Sequence, residues 1–144
     1  MACYGLRNHE AFKLDLSDFP IVRVQENTKT GEREVWLCYP EWAELWHLDK
    51  QLPGVDLNRT NEKFGASVSE YLSPKLSFAP YDLRHGWAAR TLEYGWPDAL
   101  SAQQMEHPLS VHNNTYHRWI TKRHHQRVYD LLLKREDRPR PPSR

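Results

Sequence analysis

Residues 21–38 read Ile21-Val22-Arg23-Val24-Gln25-Glu26-Asn27-Thr28-Lys29-Thr30-Gly31-Glu32-Arg33-Glu34-Val35-Trp36-Leu37-Cys38. Apolar and polar residues alternate through 21–25, and the apolar ones are β-branched, which is the period of a half-buried strand. Residues 27–31 carry turn chemistry. Residues 32–38 return with Val35 and Leu37 on one face. The spacing predicts a β-hairpin with Lys29 near its tip.

Working outward, the pattern turns helical on both sides. Ahead of the hairpin, Phe12, Leu14 and Leu16 are spaced by polar residues, and 7–14 is predicted helical. That stretch opens without a cap, and the first N–H groups of a helix need partners, so an upstream part is expected to be missing. Behind the hairpin, Trp42, Leu45, Trp46 and Leu48 share a helical face that Pro53-Gly54 ends, and the tryptophan pair is read as core. Further helices are predicted over 59–72, stopping before Pro74, and after Pro80 as far as Gly95, with Leu83, Trp87, Ala88 and Leu92 inward. Another is predicted to hold Pro97 in its first turn and reach about Glu106. Ser110 is expected to cap a short helix holding Tyr116. Thr121 is expected to cap a last one, with Val128, Leu131 and Leu132 inward, before Pro139-Arg140-Pro141-Pro142 ends regular structure. The expected class is α+β, mostly α, with a small antiparallel sheet packed on a helical bundle.

The chain has 144 residues, enough for one domain, and 39% apolar residues, enough for a modest core. Six Trp, seven Tyr and four Phe supply bulky packing material. No run of about 18 apolar residues exists, which excludes a membrane-spanning helix. The opening residues Met1-Ala2-Cys3-Tyr4-Gly5-Leu6-Arg7 lack the pattern of a secretory leader. Two cysteines, Cys3 and Cys38, cannot build a disulfide framework or a four-thiolate zinc site, so a reducing, cytoplasmic setting is expected. The net charge of +1 hides an asymmetry: residues 118–144 hold nine bases against three acids, a net +6, which leaves −5 on the rest. A basic end on a faintly acidic body points to a polyanion partner.

Four short segments stand out: Gly5-Leu6-Arg7, Thr28-Lys29-Thr30-Gly31, Tyr81-Asp82-Leu83-Arg84-His85, and His107 followed nine residues later by Tyr116. Singly each has a bland reading. Arg7 with Glu10 is a helix-face ion pair of little consequence, and Arg84 pairs with Asp82 or Glu93. A lone His or Tyr usually packs. The histidines at 107, 112, 117, 124 and 125 are spaced five, five, seven and one, which fits neither an i, i+4 ligand pair nor a finger, so no metal is expected.

Together and in this order the segments resemble the catalytic domain of the tyrosine recombinases, the phage-integrase family. That family places an arginine in a Gly-Leu-Arg element with Glu three residues on, as Arg7 and Glu10 stand here. It places a lysine at a hairpin tip, as Lys29. It has a His-x-x-Arg-His element opening a helix, where this chain has Tyr81, Arg84 and His85. Its last element is a histidine and, nine residues later, the nucleophilic tyrosine, here His107 and Tyr116. The resemblance implies the tyrosine-recombinase catalytic fold over 1–135, N-terminally truncated, and a basic Pro/Arg-rich tail over 136–144.

The resemblance also implies DNA breaking and rejoining in integration and site-specific recombination. Tyr116 would attack a phosphodiester and form a 3′-phosphotyrosyl link. Arg7 and Arg84 would fork onto the non-bridging oxygens, Lys29 would protonate the leaving 5′ oxygen, and His107 would donate to phosphate or shuttle a proton. No cofactor is expected. The partners implied are double-stranded DNA, touched by Arg118, Lys122, Arg123 and Arg127, and other protomers that exchange C-terminal segments, with no membrane. Two positions depart from the pattern. Tyr81 replaces a histidine, and a phenol with a pKa near 10 carries protons poorly at neutral pH. His85, roughly 100° around the helix from Arg84, is not the expected replacement. Glu106 stands where the family commonly has Gly, and is expected either to orient His107 or to weaken anion binding. Complete members also carry an N-terminal clamp domain that nothing here supplies. A catalytically silent DNA-binding remnant and a type IB topoisomerase-like relaxing activity are the alternatives.

Overall fold

A computed structural model describes residues 1–25, 32–50, 55–56 and 58–141. Among them, β1 (Leu14–Asp15), β2 (Val22–Val24) and β3 (Arg33–Val35) form an antiparallel sheet in that order. Leu14 lies opposite Val24, and Val22 opposite Val35. Val22, Val24 and Val35 are fully buried, as the alternation predicts. The hairpin tip with Lys29 lies outside the described residues.

The helix expected over 7–14 is not formed. Glu10–Phe12 makes one 3-10 turn and the chain then enters β1. The N–H of Gln25 donates to the carbonyl of Lys13 at 2.8 Å, so pairing with β2 gives the backbone the partners that an uncapped helix start lacks.

After the sheet come α1 (Trp42–Leu45), α2 (Asn61–Leu72), α3 (Asp82–Tyr94), α4 (Asp98–Gln104), α5 (Leu109–Tyr116) and α6 (Lys122–Lys134). The expected tryptophan core holds for Trp42, which is half-buried and packs against the sheet core, and is corrected for Trp46, which is 48% exposed and stacks on Trp42 at 4.4 Å between ring centres. With α1 only one turn long, the second indole is carried past the end of the buried face. Thr60 caps α2 by accepting from the N–H of Lys63. Gly95 ends α3 in the left-handed region, φ 86°, where a side chain would be strained. Pro97 precedes α4 rather than lying in its first turn, and α5 starts after Pro108 rather than at Ser110.

Thr121 opens α6 with a reciprocal capping pair to His124, as expected. The inward packing expected of Val128, Leu131 and Leu132 is not found. No described residue of α6 is buried, and Leu131 and Leu132 are about half exposed. One edge of the helix, at Val128 and Leu131, lies over Gly95, and the rest of its apolar stripe projects beyond the body.

Two cores hold the body. Leu6, Val22, Val24 and Val35 belong to the sheet core. Cys38, Trp87, Leu92, Met105 and Tyr116 belong to the helical core. The Gly5-Leu6-Arg7 segment joins them. Gly5 has φ 67°, and a Cβ there would stand 2.6 Å from Cε3 of Trp87. Only glycine fits both the backbone conformation and the gap. Both cysteines are buried free thiols, and burial pushes Cys38 up to about 11.

Candidate functional site

The site begins with a buried carboxylate. Glu10, in the 3-10 turn, is fully buried and gathers three arginines from distant parts of the chain. It accepts from the backbone N–H of Arg7 at 2.6 Å and from Nη1 of Arg7 at 2.8 Å. It lies 2.8 Å from Nη2 of Arg33 and 3.9 Å from Nη1 of Arg84. Burial alone would raise this carboxyl, but the Arg33 guanidinium and the Arg7 contacts hold it below its ordinary value. The reading of Arg7 and Glu10 as a surface pair of little consequence is therefore corrected, since a buried ion pair is costly to break.

Arg84, on the first turn of α3, is 3% exposed. It pairs with neither Asp82 nor Glu93. Its Nη1 donates to the carbonyl of Gly5 and its Nη2 to that of Met105. Those residues stand two positions before Arg7 and His107, so one guanidinium holds both functional segments in register. Arg7 also binds the loop after α4: Nη1 donates to the Glu106 carboxylate and Nη2 to the Glu106 carbonyl at 2.9 Å. Arg33 donates to the carbonyl of Gln104 at 3.0 Å and lies 3.4 Å from the Glu106 carboxylate. Glu106 thus sits between two guanidiniums, on a backbone with φ 53° that glycine adopts more readily. The Glu106 carboxylate already occupies a donor of Arg7.

The other half of the site is aromatic. Tyr116, at the end of α5, is 2% exposed, and burial pushes its phenol up. Its hydroxyl is hydrogen-bonded to Nδ1 of His85 at 2.8 Å. The ring of His107 lies 6.4 Å from that of Tyr116, and the ring of His112 lies 4.7 Å from it. Burial, with help from Arg84, pulls His107 down to about 4, so it is neutral at pH 7. Its Nε2 is buried with no hydrogen-bond partner among the described residues, and the same holds for both ring nitrogens of His112. Tyr81, just ahead of α3, is 42% exposed and packs edge-on against His85 at 5.1 Å.

Arg7, Tyr81, Arg84, His107 and Tyr116 therefore fall in one contact network. Lys29 lies outside the described residues. Arg118, Lys122, Arg123 and Arg127 are exposed on and beside α6, and Arg118 lies over Trp119, which packs on Tyr116. Sequence reasoning missed Arg33, His85 and His112. Arg33 had a signal: in a strand it shares a face with Val35, and a base on the buried face needs an acid. Among the described residues no group of three or more His, Cys, Asp or Glu could hold a metal ion. What the arrangement offers is a clustered set of guanidiniums beside a phenol that touches an imidazole, a set suited to binding an anion and attacking it.

Two relatives match. The chain is similar to a protein named Excisase C of Nostoc sp. (strain PCC 7120), 32% identical over 122 residues, which cover 77% of this chain and 24% of the relative. It is similar to Excisase A of the same organism, 28% identical over 141 residues, covering 84% of this chain and 30% of the relative. The chain thus spans under a third of the length of the curated relatives it matches. No protein-family profile matches it, and no solved structure does.

Proposed function

We propose that this chain supplies the strand-breaking and rejoining chemistry of a tyrosine-recombinase-type protein acting in DNA excision. The observation that carries the reading is the gathering of Arg7, Arg84, His107 and Tyr116, far apart in sequence, around the Glu10 carboxylate and the Tyr116 phenol. The names of the two relatives support a recombination role. In the proposed reaction the phenolic oxygen of Tyr116 attacks phosphorus in double-stranded DNA, the bond to the 5′ oxygen breaks, and the 3′ phosphate is left on the tyrosine. Arg7 and Arg84 stabilise the charge on the non-bridging oxygens, a contribution on the order of 3–4 kcal/mol per donor. The orphan Nε2 of His107 supplies a further hydrogen bond, and Lys29 gives the leaving oxygen its proton. The covalent link conserves the phosphodiester energy for rejoining. Arg118, Lys122, Arg123 and Arg127 track the phosphate backbone, and the exposed leucines of α6 meet a neighbouring protomer.

The test is a nicked suicide duplex carrying the excision site. The wild-type chain is expected to form a covalent adduct and Tyr116→Phe none, whereas an adduct that persists in Tyr116→Phe overturns the assignment. One observation favours a second reading, a DNA-binding domain without cleavage: the Glu106 carboxylate already occupies Arg7. Salt-sensitive DNA binding with no adduct is its signature.

A further inference from the structure

We propose that His85 is the catalytic base that takes the phenolic proton from Tyr116, in place of the residue at position 81. The inference rests on the strand-cleavage reading above and names the proton acceptor that reading lacks. A phenol that attacks phosphorus must lose its proton, and a buried one, kept from water, loses it only to a group already in contact. Four candidates surround it. Tyr81 is a phenol with no basic atom to offer at neutral pH, and its ring meets His85 rather than the Tyr116 hydroxyl. His107 is held near 4 by burial, which makes it a poor base, and its ring is 6.4 Å from that of Tyr116. The ring of His112 lies tilted against that of Tyr116, but neither of its nitrogens has a hydrogen-bond partner among the described residues. Nδ1 of His85 lies 2.8 Å from the phenolic oxygen, within reach for direct transfer.

The step balances as follows. The neutral His85 ring carries its proton on Nε2 and receives the phenolic proton on Nδ1. The oxygen pair forms the bond to phosphorus, the pair of the breaking bond leaves with the 5′ oxygen, and that oxygen takes a proton from Lys29. On rejoining, His85 returns its proton to the departing phenolate. Arg84 stands next to His85 in sequence and turns to Gly5 and Met105, so the first turn of α3 sends one side chain toward each half of the site. Tyr81, edge-on to the imidazole, is a positioning residue that holds the ring toward α5.

The experiment measures single-turnover adduct formation on the nicked duplex at pH 7, with DNA affinity and thermal unfolding followed in parallel. His85→Ala is expected to slow adduct formation by about 10²- to 10³-fold, with affinity within about twofold and a cooperative unfolding transition retained at a somewhat lower midpoint, and added imidazole should restore part of the rate. His85→Gln, which keeps a hydrogen-bonding side chain without basicity, should be nearly as slow. A His85→Ala or His85→Gln chain as fast as wild type overturns the inference while leaving the strand-cleavage reading standing, and so does a His85→Ala chain whose rate falls only as far as its affinity. A wild-type chain that forms no adduct overturns both.

Discussion

The two halves of the site are built on opposite principles. On the arginine side every charge is answered: Glu10 holds Arg7 and Arg33, Glu106 holds both again, and Arg84 is tied to two carbonyls. On the aromatic side, buried polar atoms of His107 and His112 have no hydrogen-bond partner among the described residues, and only the Tyr116–His85 bond is made. The difference teaches where the fold is tied down and where bonding capacity is left over. The ionic half fixes the fold's geometry, because losing the buried Glu10 carboxylate strands the charges gathered on it. The aromatic half has donors and acceptors to spare and little to lose when one is removed.

Substitutions break or sharpen that contrast. The largest effect is expected from Glu10→Ala, which leaves three guanidiniums around a vacated carboxylate position and should cost about 3–5 kcal/mol of stability in a denaturant titration. Gly5→Ala comes next. It forces a left-handed alanine against Trp87, and an upward cost of about 2–4 kcal/mol is expected by the same measurement. A loss below 1 kcal/mol would mean the Gly5–Trp87 contact is loose.

On the aromatic side, His112→Phe should change stability by less than about 1 kcal/mol in either direction, because it removes two nitrogens with no hydrogen-bond partner among the described residues and keeps a ring of similar size. A loss of 3 kcal/mol would show the imidazole to be as firmly tied as the arginines.

The acid limb of stability tests the same half. Both His107 and His112 are lowered in the folded chain by burial, so the unfolded state binds more protons in that window. The His107 contribution is fully present above the ordinary histidine value near 6.5 and is lost as pH falls toward 4, and that of His112 is lost in the same direction. Unfolding midpoints should decline through that range, and less so in a His107→Gln, His112→Phe chain. The smallest effect is expected from Glu106→Gln. Freeing Arg7 from a competing carboxylate should tighten binding to duplex DNA by about five- to tenfold, on the order of 1 kcal/mol by electrophoretic titration. Weaker binding would make Glu106 a support for Arg7 rather than its competitor.

Much of this was legible in the sequence. The β2–β3 hairpin was readable because valines at every second position admit no helical face. The helices from 61 to 134 were readable from Pro74, Gly95 and Thr121 at their ends, whereas the cap at Thr60 was not read. The stretch at 7–14 was not, because its three apolar residues fit a helical stripe and a short strand equally well, and the unpaired edge of β2 decided between them. Within the site, Arg7, Arg84, His107 and Tyr116 were found by order and spacing, whereas His85 was set aside for pointing away from Arg84. The angle was right, yet it carries Nδ1 of His85 to the Tyr116 hydroxyl. A helix lying between two walls, the Gly5 and Met105 loops on one side and α5 on the other, uses neighbouring residues for different partners. Sequence spacing gives the angle between two side chains but not what stands on either side of them.

The near-complete enclosure of the Tyr116 ring has a practical consequence. Reagents that nitrate or iodinate phenols should label exposed Tyr71 and Tyr129 quickly and leave residue 116 almost untouched. Its labelling rate then becomes a clock for whatever opening exposes that phenol, readable by peptide mass.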